Sequence, residues 1–89
     1  MIERPVEIVN RLGLHARAAA KLVHAASGFR CKVTLVKDGE EVDAKSILGI
    51  LLLAAGQGTG LRLRCDGEDE QQAIDAVATL IAERFGEES

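Results

Sequence analysis

The order in which hydrophobic periodicity changes along these 89 residues is the strongest constraint on the fold. Ile2 to Val9 alternates, with Ile2, Val6 and Ile8 on one face and Glu3, Pro5 and Glu7 on the other, as in a half-buried strand. Pro5 has no N–H to give to a ladder, so this strand should lie at a sheet edge or turn that N–H side outward. From Ala16 to Ser27 the period lengthens to that of a helix, with Ala19, Leu22, Val23 and Ala26 as its apolar stripe and Gly28 as its stop. Phe29 to Leu35 alternates again, with Phe29, Cys31, Val33 and Leu35 inward and Arg30, Lys32 and Thr34 outward. Asp38-Gly39 is a hairpin signal, and Glu41 to Ala44 returns as a short strand. Ser46 is a good cap for a short helix from Ile47. Leu61, Leu63 and Cys65 alternate with Arg62 and Arg64 in a further strand. Asp69 to Phe85 reads as a last helix, with Asp69 as cap, Gln72 placed for a capping box, and Ala73, Ile74, Val77, Leu80, Ile81 and Phe85 as the buried stripe. Gly86 to Ser89 reads as a frayed acidic tail.

The resulting order is β-α-β-β-α-β-α, in one domain over residues 1–89. Strands with one apolar face need that face covered, and three helices are available to cover it. The expected fold is therefore α+β, an open-faced β-sandwich: a four-stranded antiparallel sheet with three helices on one face. Phe29 and Phe85 are the only aromatic residues, so Val, Leu, Ile and Ala must build the core.

Several functional classes are disfavoured. Cys31 and Cys65 have no metal-ligand spacing, and both fall on the inward parity of their strands, which makes them small core residues. No metal and no cofactor are expected. A net charge of −3 argues against nucleic acid as partner. The charge is unevenly spread: 10 basic and 6 acidic residues up to Cys65 give +4, and 1 basic and 8 acidic from Asp66 onward give −7. That asymmetry suits an anion site on one side and a solvated acidic helix on the other. No charged-then-apolar leader is seen and the longest apolar run, Ile47 to Ala55, is too short to span a bilayer, so a soluble, cytoplasmic protein without membrane insertion is expected.

Chemistry gathers at Gly13-Leu14-His15-Ala16-Arg17. Gly13 permits a tight loop, and His15 falls at or beside the first turn of the helix. A helix start leaves backbone N–H groups unpaired and carries partial positive charge, which favours anions, phosphate among them. An imidazole held there can present a ring nitrogen as nucleophile, and Arg17 can offer planar donors to phosphoryl oxygens. The residues alone leave open that His15 is an ordinary cap. Lys21 and His24 follow Arg17 on one helix face, as a basic ridge or a plain solvated one. The run from Ile47 is apolar nearly all round, more than a short surface helix needs. Some of Ile47, Leu48 and Leu51 should stay exposed as a docking patch rimmed by Lys45 and Arg17, the alternative being that the whole run is core.

Three separated signatures carry a resemblance that covers nearly the whole chain. They are Gly13-Leu14-His15-Ala16-Arg17, Ala44-Lys45-Ser46-Ile47-Leu48-Gly49, and Gly67-Glu68-Asp69-Glu70. With their order and separation they resemble HPr, the histidine-containing phosphocarrier of the bacterial phosphoenolpyruvate-dependent phosphotransferase system. The resemblance implies a stoichiometric carrier rather than an enzyme. It takes phosphoryl from enzyme I at Nδ1 of His15 and passes it to IIA proteins, in sugar uptake or in nitrogen and carbon regulation. It implies that Arg17 is the active-site arginine, that the Ala16 and Arg17 backbone binds phosphoryl, and that Ile47, Leu48 and Leu51, with Lys21 and His24, meet the partners. Ser46 resembles the serine that HPr kinase/phosphorylase modifies in some bacteria. A monomer is expected. Two positions depart from the pattern: Ala18 stands where many members have Pro, and Leu12 where many have a small polar residue. The alanine-rich run after Arg17 is similar to proteobacterial members, including the nitrogen-related branch called NPr. The competing reading is a regulatory interaction module acting through Ser46 and its patch, although modules of that kind lack the histidine present here at position 15.

Overall fold

The computed structural model describes residues 1–89. Four strands, β1 (Ile2–Glu7), β2 (Lys32–Lys37), β3 (Glu40–Asp43) and β4 (Gly60–Asp66), form one antiparallel sheet in the order β1-β4-β2-β3. Three helices, α1 (Ala16–Ser27), α2 (Ile47–Leu52) and α3 (Glu70–Ala82), cover it as an open-faced sandwich. The last strand therefore lies in the middle, with Cys65 in register with Ile2 on one side and with Val33 on the other. Pro5 sits on an edge strand, as its missing N–H requires.

Strand parity and helix stripes meet in one cluster of 21 buried side chains. Val33, Leu35, Leu61, Leu63 and Cys65 come from the sheet; Ala19, Leu22 and Ala26 come from α1; Ala73, Ile74, Val77 and Ile81 come from α3. Cys31 and Cys65 are buried free thiols, and burial pushes Cys65 up to about 12, where it is an unreactive core residue. The other sheet face is polar: Arg64 reaches Glu3 at 2.8 Å and Glu41 at 3.0 Å, bridging three strands. Thr34, on that outward parity, is nevertheless buried, flanked in register by Arg64 and Asp43.

Two local expectations fail, for connected reasons. The second strand begins at Lys32, not Phe29, because the Arg30 and Cys31 N–H groups leave the ladder and donate to the Asp69 carboxylate at 2.8 and 2.9 Å. Asp69 thus makes no side-chain cap on α3, and Gln72 completes no capping box with it. Glu70 instead accepts the Gly67 N–H at 3.1 Å. The last helix also stops early. After Ala82 the chain enters a one-turn segment in which Arg84, Phe85 and Gly86 have φ of 59°, 55° and 80°. Left-handed backbone costs a non-glycine residue roughly 1–2 kcal/mol. Here it turns the Phe85 ring into the core at 1% exposure, burial that contributes an opposing ~2–3 kcal/mol.

Candidate functional site

His15 is the N-cap of α1, with extended backbone (φ −73°, ψ 175°). Its carbonyl accepts the Ala19 N–H at 2.8 Å, and its ring Nδ1 accepts the Arg17 N–H at 3.2 Å. One ring nitrogen is thus held over the end of the helix where N–H groups have no intrahelical partner. The loop before it has little freedom. Gly13 has φ +68°, and a Cβ there would lie 2.7 Å from the Ala55 carbonyl oxygen, so only glycine fits. Leu14 is buried beside it.

The other ring nitrogen meets residues near the far end of the sequence. Nε2 of His15 lies 2.5 Å from Glu87 Oε2. Because Nδ1 already accepts a proton donor, the ring proton belongs on Nε2, which donates to the carboxylate. Glu87 is itself held: its Oε1 accepts from Asn10 Nδ2 at 3.1 Å, and the same Nδ2 donates to the Gly13 carbonyl at 2.8 Å. The bond to His15 above all holds the Glu87 carboxyl below the usual range; desolvation opposes it, and the Asn10 bond and nearby positive charge add smaller contributions in the same direction as His15. The Arg11 N–H donates to the Ser89 carbonyl at 3.0 Å. The segment expected to fray is therefore docked against the histidine loop, because the left-handed turn at 84–86 sends the chain back across it.

Arg17, Lys21 and His24 lie exposed along α1 as expected, and line an open groove of about 590 Å³ against Leu80 and Glu83 of α3 and the segment after it. Lys21 is not a free cation, since its Nζ donates to the Phe85 carbonyl at 2.6 Å and so steadies the turn that delivers Glu87. No group of three or more His, Cys, Asp or Glu side chains comes together as a metal site.

Ser46 caps α2, its Oγ accepting the Gly49 N–H at 3.1 Å. Of the apolar run that follows, Ile50 and Leu53 are buried, while Ile47, Leu48 and Leu51 are 44%, 67% and 38% exposed. Leu52 (65%) and Leu12 (64%) are equally open, and the spacing argument had not singled them out. Lys45 does not rim this surface: its Nζ turns inward to the Phe29 carbonyl at 2.8 Å, satisfying an acceptor left by the chain before β2. Neither Asn10 nor Glu87 carried a signal in the sequence, being one polar residue in a loop and one acidic residue in an acidic tail.

The fold and the site define a small open-faced α+β sandwich that holds a histidine over the start of its first helix. The family model described as "PTS HPr component phosphorylation site" matches residues 2–83. The phosphocarrier protein HPr of Cupriavidus necator is 53% identical over 87 residues, 98% of each chain. A crystal structure of HPr from Thermoanaerobacter tengcongensis superposes with a TM-score of 0.96 over 100% of both chains at 46% identity. A second one from that organism, described as an HPr dimer, gives 0.79 over 98% of this chain and 100% of that one, at 46% identity. The chain belongs to the HPr family of phosphocarrier proteins of the phosphotransferase system.

Proposed function

We propose that this protein accepts phosphoryl from phospho-enzyme I on Nδ1 of His15 and donates it to IIA proteins, as a stoichiometric carrier and not as an enzyme. The observation that carries this reading is the placement of His15 Nδ1 at the first turn of α1, 3.2 Å from the Arg17 N–H. When phosphoryl occupies Nδ1, the Ala16 and Arg17 N–H groups are free to serve its oxygens, and the exposed Arg17 guanidinium adds a planar donor pair. Ile47, Leu48 and Leu51 give the partners an aliphatic footing, with Lys21 and His24 along the basic side. Ser46 is the site at which a kinase such as HPr kinase/phosphorylase adjusts that docking. The carrier acts in the cytoplasm as a monomer, with the related dimer as the alternative that size-exclusion chromatography separates.

The test is phosphotransfer from phosphoenolpyruvate through a panel of sugar-type and nitrogen-type enzyme I proteins. We expect an acid-labile, base-stable mass gain of about 80 Da, one phosphoryl group, which His15→Ala abolishes. A label that persists on that variant, at His24 for example, overturns the assignment. The panel also separates sugar uptake from nitrogen regulation. A regulatory module acting only through Ser46 and its patch would take no label from any enzyme I.

A further inference from the structure

His15 is held from both sides, and the second side is supplied by a segment 72 residues away. Three observations converge on Glu87. Its carboxylate is the partner of Nε2 at 2.5 Å, with side-chain exposures of 26% for His15 and 17% for Glu87, so the contact is largely shielded from water. Glu87 does not depend on its own flexibility for that position. Asn10, fully buried, spends both N–H groups of its amide on Gly13 and Glu87 while its Oδ1 has no partner. The two donations, to the Gly13 carbonyl at 2.8 Å and to Glu87 at 3.1 Å, fix the orientation of that amide. Finally, two non-glycine residues, Arg84 and Phe85, take left-handed backbone three and two residues before it, and Lys21 pins the Phe85 carbonyl. Strained backbone, a buried amide that donates to Glu87 and a clamped lysine all act to place one carboxylate on one ring nitrogen.

We propose that Glu87 is the positioning residue of the phosphohistidine site: its carboxylate accepts the His15 Nε2–H, directs Nδ1 toward the start of α1, and balances the charge that the ring gains when Nδ1 carries phosphoryl. The proposal rests on the phosphocarrier reading for its last part only. In the transfer step the Nδ1 lone pair forms the Nδ1–P bond while the bond from phosphorus to the donor's leaving atom breaks, that atom keeping the electron pair. The proton stays on Nε2, so the ring becomes a phosphoimidazolium with one positive charge beside the Glu87 carboxylate. The Arg17 N–H, displaced from Nδ1, passes to a phosphoryl oxygen. A carboxylate already held in place by the Asn10 amide offers its negative charge to that ring without moving. Return transfer to an acceptor reverses each step and leaves the Nε2–H bond in place throughout.

The experiment uses the full chain and has two independent readouts. The first needs no phosphate: proton NMR of the unphosphorylated protein should show a downfield, slowly exchanging imidazole Nε2 proton assigned to His15. Glu87→Ala should lose it, Glu87→Asp should keep a weakened form, and Glu88→Gln, which removes the same charge one residue on, should leave it unchanged. The second is the phosphorylated fraction at equilibrium with enzyme I and a fixed phosphoenolpyruvate-to-pyruvate ratio. Glu87→Gln should lower the transfer equilibrium constant roughly tenfold, with Glu87→Asp intermediate and melting temperatures within a few degrees of the parent. If the parent protein takes no phosphoryl, the carrier reading fails while the NMR signature still judges the contact. If the parent is phosphorylated and Glu87→Gln matches it in both proton resonance and equilibrium, Glu87 is only a tether for its segment and the proposal is overturned.

Discussion

The Leu14 N–H donates to the Ala55 carbonyl at 2.9 Å, joining the loop that presents His15 to the chain that leaves α2. The histidine loop and the aliphatic helix, well separated in sequence, are thereby held in one frame. The contact depends on Gly13, whose missing side chain lets that backbone approach.

Gly13→Ala should therefore damage both stability and transfer. A non-glycine residue at φ +68° costs roughly 1–2 kcal/mol, and the added methyl would also push against Ala55 and Gly56. Urea unfolding should show a loss at least that large. A variant as stable as the parent would mean that the loop relaxes freely and does not fix the histidine.

Arg17→Lys keeps a positive charge but loses the guanidinium plane. Because Arg17 is exposed, the melting temperature should stay unchanged. Rates of transfer to and from His15, measured by rapid quench, should fall by about tenfold or more, the loss of one charge-assisted bond. Unchanged rates would reduce Arg17 to a surface residue.

The α2 side chains should divide by burial. Ile50, with no exposure, should cost about 2–5 kcal/mol on truncation to Ala. Leu48→Glu, at a position 67% exposed, should leave unfolding within about 0.5 kcal/mol of the parent while weakening enzyme I binding in calorimetry. A large stability loss for Leu48→Glu would assign that residue to the core.

Ser46 has a structural duty and a proposed regulatory one, and two substitutions separate them. Ser46→Ala removes the bond to Gly49 and should cost about 1 kcal/mol. Ser46→Asp retains a capping oxygen and places negative charge beside Ile47 and Leu48, so it should fold normally and slow transfer from enzyme I. Equal transfer rates in the two variants would leave Ser46 as a cap alone.

Asp69 gives stability an acid limb. The Arg30 N–H first, and then that of Cys31, holds its carboxyl below its usual 3.8. A depressed folded value means that this contribution is complete above about pH 4 and is lost as pH falls through the folded value. The stability difference between parent and Asp69→Asn, followed by thermal melts from pH 6 down to pH 2, should shrink toward zero at the acid end. A difference that stays constant with pH would detach Asp69 from acid unfolding.

The elements themselves were legible in residue order because their causes are local. Alternation in Ile2 to Glu7, the 3.6-residue stripe of α1, the Asp38-Gly39 turn and the Ser46 cap all act within a few residues, and the boundaries of α1 and the start of α2 fall where those signals put them. The sheet followed because four half-apolar strands leave only one face to cover. Local pattern also marked His15 as a helix-start histidine and the Ile47 run as too apolar for one buried stripe. What tertiary structure decided are the pairings between distant chain segments. Asp69 gave up its cap for the N–H groups of Arg30 and Cys31, Lys45 turned to Phe29, and Glu87 reached His15. In each case a polar group with local or solvent partners at hand took one far along the chain: donors and acceptors that the fold takes out of a ladder or away from water need partners, and the distant ones come within reach only once the chain has closed on itself.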